Sequence, residues 1–302
     1  FIVLLNTNYI NSFCYYHIGL KMWNQIKTIL LLGALTALLL FIGSFFGPNG
    51  LTVAIIFVVL MNTVTYFFSD KIALFMYRAR EIKKNDYLNF HAVIDELCKE
   101  NKMKKPRLYI IPSEAANAFA TGRNEKNAAV ACTEGILKLL TKEELKGVLA
   151  HELSHIKNKD ILITTIAATI AGIISYLAFM ARFAAIFGGM GRNREGGGNI
   201  LGLLALAILT PIIALIIQLA ISRSREYLAD ERGAKMIKDS KPLARALEKI
   251  HHSVKTNPLR LGNTATSSLF IANPFKSDFF TSIFSTHPSL KDRLERLNQM
   301  KF

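Results

Sequence analysis

Residues 147–181 read GVLAHELSHIKNKDILITTIAATIAGIISYLAFMA. Two histidines and a glutamate stand immediately before a long apolar run. The trio His151, Glu152 and His155 falls on a predicted helix. Thr141 and Glu144 have the spacing of a capping box, which starts a helix by satisfying its first backbone N–H groups. Leu145, Val148, Leu149 and Ile156 supply its buried side. His151 and His155 are four residues apart, so both imidazoles project from one face. Two neutral imidazoles at that spacing can hold one Zn²⁺. Glu152, beside the first histidine, is placed to act as a general base toward water. An amphipathic helix that merely carries histidines would show the same letters. The capped start and the apolar flanks are the context that favours a metal site.

The apolar run Ile161–Ile186 is one of four in the chain. The others are Ile29–Phe46, Leu51–Phe68 and Ile200–Ile221. A spanning helix needs ~17–25 mostly apolar residues, which each segment can supply. Pro211 in the fourth is tolerable inside a bundle. The first two are predicted to form a helical hairpin, turned at Gly47-Pro48-Asn49-Gly50. The first is too long for a cleaved signal and reads as an uncleaved anchor. Lys27, the cluster Arg78–Lys84, Lys157, Lys159, Arg223 and Arg225 flank the segments on one side, which places both termini in the cytoplasm. The divisions that follow are 1–21, an upstream extension before the start-like KMWNQIKTILLL; 22–70, a transmembrane hairpin; 71–160, the first cytoplasmic part; 161–221, a second hairpin; and 222–302, the second cytoplasmic part.

The composition fits this plan. The chain has 302 residues, is 51% hydrophobic, and carries a formal net charge of +15. The basic residues gather beside the apolar segments, as anionic headgroups favour. No nucleic-acid motif accompanies them, so nucleic acid is not an expected partner. The glycine-rich FGGMGRNREGGG lacks the Lys-Ser/Thr of a phosphate loop, and no nucleotide is expected. Cys14, Cys98 and Cys132 have no paired spacing, which suits a reducing compartment.

The first cytoplasmic part reads as mixed α/β: a helix in NFHAVIDELCKENKM, strands in RLYIIP, NAFATG and NAAVACT, then a helix in EGILKLL. A catalytic zinc needs a third protein ligand. A downstream histidine at 161 is ruled out, because Ile161 stands there. The next candidates are in SRSREYLADERGAKMI. Glu226 and Asp230 lie i, i+4 on a predicted helix, a spacing that a salt-bridged surface helix would also explain. Both apolar segments between return the chain to the same side, so Glu226 can approach the first motif across 71 residues.

Five pieces, in this order, carry a resemblance over residues 22–302: NAFATG, LAHELSHIKNKD, SRSREYLAD, IANPF and FSTHPSLKDRLERL. The chain resembles the HtpX family of bacterial inner-membrane zinc metalloproteases, related to the CAAX prenyl proteases. The resemblance implies an α-helical integral membrane protein of about four transmembrane helices. Its cytoplasmic, mainly α zinc-metalloprotease domain contains a small β-sheet. It implies one Zn²⁺ per chain on His151, His155 and Glu226, with Glu152 as catalytic base. Asp230 would orient a ligand, and His287 would stabilise the transition state. Pro288 and the helix it starts, with Arg293 one to two turns in, are expected to hold that imidazole rigidly. The strand containing Asn117, Ala118, Phe119 and Ala120 is read as an edge strand that aligns an extended substrate. Implied partners are unfolded or misfolded membrane proteins and the lipid bilayer. The implied place is the bacterial inner membrane, multi-pass, with the protease domain facing the cytoplasm. A CAAX-type prenyl peptidase, a scaffold with a retained metal site and a metal transporter are the alternatives.

Overall fold

The computed structural model describes Gly33, Thr36, Ala37, Leu40 and residues 47–166, 223–259, 266, 269–273 and 288–302. Residues 1–21, nearly all of the first apolar segment, most of the third, the whole of the fourth, and His287 lie outside the described residues.

Helix α1 spans Gly47–Met76. The turn expected at 47–50 is therefore the first helical turn. Pro48 is tolerated there because the first N–H groups of a helix lack intrahelical partners anyway. The helix also runs on past Phe68, where the apolar segment was expected to end. It bends by 68° between Val64 and Tyr66. Thr63 Oγ1 donates to the Val59 carbonyl at 2.8 Å just before the bend, a bond that diverts a helical carbonyl and favours bending. Among the described residues, no single helix is long and apolar enough to cross a membrane. The two arms of α1 pass that test only together. Val53 and Ile56 on the first arm are each 66% exposed. On the second, Ser69, Asp70, Ala73 and Leu74 are buried against the rest of the fold. Asp70 receives Arg107 at 2.9 Å.

The sheet follows. Its strands are β1 (Arg80–Glu81), β2 (Arg107–Ile111), β3 (Ala118–Thr121) and β4 (Ala129–Thr133). Their order is β1-β2-β4-β3, with β2 and β4 parallel and the other pairs antiparallel. Only β1, two residues long, escaped the sequence reading. Side chains alternate across a strand, and both faces are covered. Leu108, Ile110, Ala118, Ala120, Val130 and Cys132 face the main core. Tyr109, Ile111, Phe119, Ala129 and Ala131 face a second cluster that holds Leu74 and Tyr77 of α1. Burial on both faces explains why these strands read as continuous apolar runs.

The helices are α2 (Leu88–Glu100), α3 (Glu134–Leu139), α4 (Lys142–Asn158), α5 (Arg223–Ile237), α6 (Lys241–Thr256) and α7 (Leu290–Gln299). Helix α4 is central: α2, α5, α6 and β3 all pack on it. Gly233 sets the approach of α5. A Cβ there would sit 2.8 Å from the His151 backbone nitrogen, so no larger residue permits this spacing.

Candidate active site

The predicted capping box is formed at the start of α4: Thr141 accepts from the Glu144 N–H, and Glu144 accepts from the Thr141 N–H. This fixes the register of a helix whose one face carries His151, Glu152 and His155. His151 is fully buried and Glu152 nearly so. At the other end Lys159 is left-handed, with φ 59° and ψ 31°. That cap turns the chain back, so Asp160 comes alongside His155. Its carboxylate oxygens lie 3.2 and 3.3 Å from His155 Nδ1.

Helix α5 delivers the remaining acids. Asp230 Oδ1 lies 2.9 Å from His151 Nδ1. One turn earlier, Glu226 places Oε2 at 3.8 Å from His151 Nε2 and Oε1 at 3.6 Å from His155 Nε2. The two Nε2 atoms are 3.2 Å apart. Each imidazole thus has Nδ1 beside a carboxylate, in a hydrogen bond for His155 and in a close but unaligned contact for His151; a proton held at Nδ1 leaves a lone pair on Nε2. Two lone pairs at that distance repel one another unless a cation or proton sits between them. Two nitrogens bound tetrahedrally to one zinc at ~2.0–2.1 Å would stand about 3.3 Å apart. One ligand atom from each of His151, His155 and Glu226 lies within 4.8 Å of the others. The donor set and its spacing fit a zinc ion.

The charges point the same way. Burial acts to lower the pKa of His155, but Asp160, Glu226 and Glu152 outweigh it and push the imidazole up to about 10. The pocket is therefore strongly favourable to positive charge. Burial raises the Glu152 carboxyl above its ordinary range; the two imidazoles and the Ala120 N–H pull it back, and Glu226 adds to the rise. Glu152 Oε1 has no hydrogen-bond partner among the described residues, which leaves it open to a water or substrate proton.

The other expected residues divide. Ala118, Phe119 and Ala120 lie on an outer strand, β3, and Asn117 immediately precedes it, but all four are buried. Phe119 turns away from the histidines and packs on Tyr77 and Phe270. His287 lies outside the described residues, while Arg293 is engaged by Asp230 and Ile271. Its Nε and one terminal nitrogen clasp Asp230 at 2.8 and 2.7 Å, and the other donates to the Ile271 carbonyl at 2.6 Å. Asp160 was missed by the sequence reading; its position five residues after His155, beyond a helix end, was the available signal.

A histidine pair one turn apart, a glutamate between them and a carboxylate from a distant helix define a metallopeptidase-type site. The chain belongs to peptidase family M48, whose profile matches residues 83–301. It is 47% identical over 283 residues to a protein described as "Protease HtpX homolog" from Syntrophobacter fumaroxidans, covering 92% of this chain and 100% of that one. Proteins with the same description are 48% identical in Thermococcus kodakarensis, over 93% of this chain and 97% of theirs, and 50% identical in Persephonella marina, over 92% and 97%. Among solved structures, the crystal structure of S. mikatae Ste24p aligns with a TM-score of 0.49 at 20% identity, covering 93% of this chain and 67% of that one.

Proposed function

We propose that the chain is a membrane-bound, zinc-dependent endopeptidase that cuts unfolded or misfolded membrane proteins at cytoplasmic segments. The convergence of His151, His155 and Glu226 around one point, with Glu152 on the same helix face, carries this reading. The description "Protease HtpX homolog" of its relatives supports it. His151, His155 and Glu226 would hold the zinc, which supplies Lewis acidity toward the scissile carbonyl and toward water. Glu152 takes the proton of the attacking water and passes it to the leaving amine nitrogen. Asp230 and Asp160 hold the two imidazoles with Nε2 forward. His287 is assigned the developing oxyanion, and its replacement by alanine is expected to lower kcat ~10²–10³-fold with little change in KM.

The basic flanks of the apolar segments support a cytoplasmic protease domain in the bacterial inner membrane. The exposed apolar arm of α1 supports contact with lipid. The deciding experiment incubates detergent-purified protein with an unfolded protein substrate, with and without added zinc. Zinc-dependent cleavage that disappears in Glu152→Gln, with metal content unchanged, is the expected result. Undiminished cleavage in that variant would remove Glu152 from its role. Cysteine labelling at Asn49 from the periplasmic side, and at Lys84 only after the membrane is opened, is the expected topology.

A further inference from the structure

The outer edge of β3 is where an extended peptide would pair, and a piece of the chain already lies on it. Pairing with β4 places the backbone groups of Asn117, Phe119 and Thr121 toward β4. Those of Ala118 and Ala120 therefore face the other way. The Ala118 carbonyl accepts from the Ile271 N–H at 3.1 Å. Asn117 Nδ2 donates to the Ala272 carbonyl at 2.8 Å. The same segment closes the site. Leu269, Phe270 and Ile271 wall a cavity whose other sides include Glu152, His155 and Glu226. That cavity has a volume of about 10 Å³, roughly the room for one water. A peptide cannot enter while the segment stays.

We propose that Leu269–Ala272 is an internal stand-in for substrate, and that substrates are extended apolar segments that displace it. This rests on the endopeptidase reading above. A peptide that offers an N–H to Ala118, the carbonyl of that same residue to Arg293 and the next carbonyl to Asn117 replaces the segment's three bonds one for one. Proline opposite Ala118 has no N–H and is rejected. The residues preceding that position are bulky and apolar, in the manner of Leu269 and Phe270. The residue after it is small, in the manner of Ala272. Folded proteins have their strand backbones already paired, so admission requires a locally unfolded chain. Displacement also releases Phe270 from Tyr77 and Phe119, whose ring centroids lie 4.8 and 5.2 Å away. A substrate poor in apolar side chains would leave that loss uncompensated.

The test uses full-length protein and the heptapeptide Ser-Leu-Phe-Ile-Ala-Asn-Pro, which copies residues 268–274. A control peptide carries proline in place of its isoleucine. Wild-type cleavage of an unfolded protein is followed with each peptide as competitor. Hydrogen exchange at Leu269–Asn273 is followed in Glu152→Gln, which holds the peptide uncut. The copy should compete about tenfold better than the control, the ratio expected for one lost hydrogen bond. It should also speed exchange of the Ile271 amide while β4-paired amides of β3 stay protected. Equal competition by the two peptides, or an Ile271 amide that stays protected at saturating peptide, would show a fixed wall and overturn the proposal. Failure of wild-type protein to cleave anything would instead remove the endopeptidase reading. The exchange response decides the stand-in independently of that outcome.

Discussion

Asp230 Oδ1 stands 2.9 Å from His151 Nδ1, while both its carboxylate oxygens are clasped by Arg293. One buried carboxylate thus joins α5 to an imidazole of the candidate metal site on α4 and to α7. Burial alone would raise its pKa. Arg293 and His151 reverse that and hold the carboxyl below its usual range.

Asp230→Asn keeps the shape and removes the charge. It should weaken zinc binding ~10–100-fold, the usual effect of losing a partner that orients a ligand. It also leaves Arg293 buried without a counter-charge, which should cost about 3–5 kcal/mol of stability. Adding Arg293→Met should recover part of the stability and none of the zinc affinity. Chelator competition and thermal unfolding on the same preparations separate the two effects.

Asp160 does for His155 what Asp230 does for His151, and it also begins a helical turn. Thr164 N–H donates to its backbone carbonyl at 3.3 Å. Two substitutions separate these duties. Asp160→Ser can still cap the turn but is too short to reach the imidazole, so zinc affinity should fall ~10–100-fold with stability nearly unchanged. Asp160→Asn can accept from Nδ1–H and should retain most of the affinity. If Ser and Asn bind zinc equally well, Asp160 has only its capping duty.

Glu226 is expected to touch the metal itself. Glu226→Ala removes one of three protein donors, and the loss should be at least the ~10–100-fold typical of an orienting residue. Zinc titration by calorimetry measures it directly. Unchanged affinity would move the third ligand elsewhere on α5, to Asp230 or Glu231.

The parts of this site that can be read from the chain are those with local causes. Thr141 and Glu144 announce α4 because a capping box involves only neighbouring backbone. His151 and His155 share a face because helical geometry requires it. Gly47–Gly50 misled because Gly, Pro and Asn suit a turn and the first turn of a helix equally well. Asp160 was hidden because its direction depends on the left-handed Lys159, a conformation uncommon for a side-chain-bearing residue. The cover on β3 was beyond reach: Ile271 meets Ala118 from far along the chain, in an irregular stretch with no periodic pattern.

Glu144 gives the protein a measurable acid limit. Its carboxylate accepts from the Thr141 N–H at 2.9 Å and from Lys249 Nζ at 2.8 Å. It is 3% exposed and so ties the start of α4 to α6. Burial opposes its charge, but Lys249, the Thr141 N–H and Arg245 prevail and hold its pKa low. A depressed folded-state pKa contributes stability above the unfolded carboxylate value of ~4.3, and that contribution fades as pH falls through the folded value. Glu144→Gln should therefore lose ~0.5–2 kcal/mol at pH 7, and the gap to wild type should close below pH ~4. Thr141→Ala removes an uncharged cap worth ~1 kcal/mol, and its gap should persist at low pH. Thermal unfolding of all three proteins across pH 3–8 tests this. A Glu144→Gln gap that persists in acid would show that the side chain acts through its shape and not its charge.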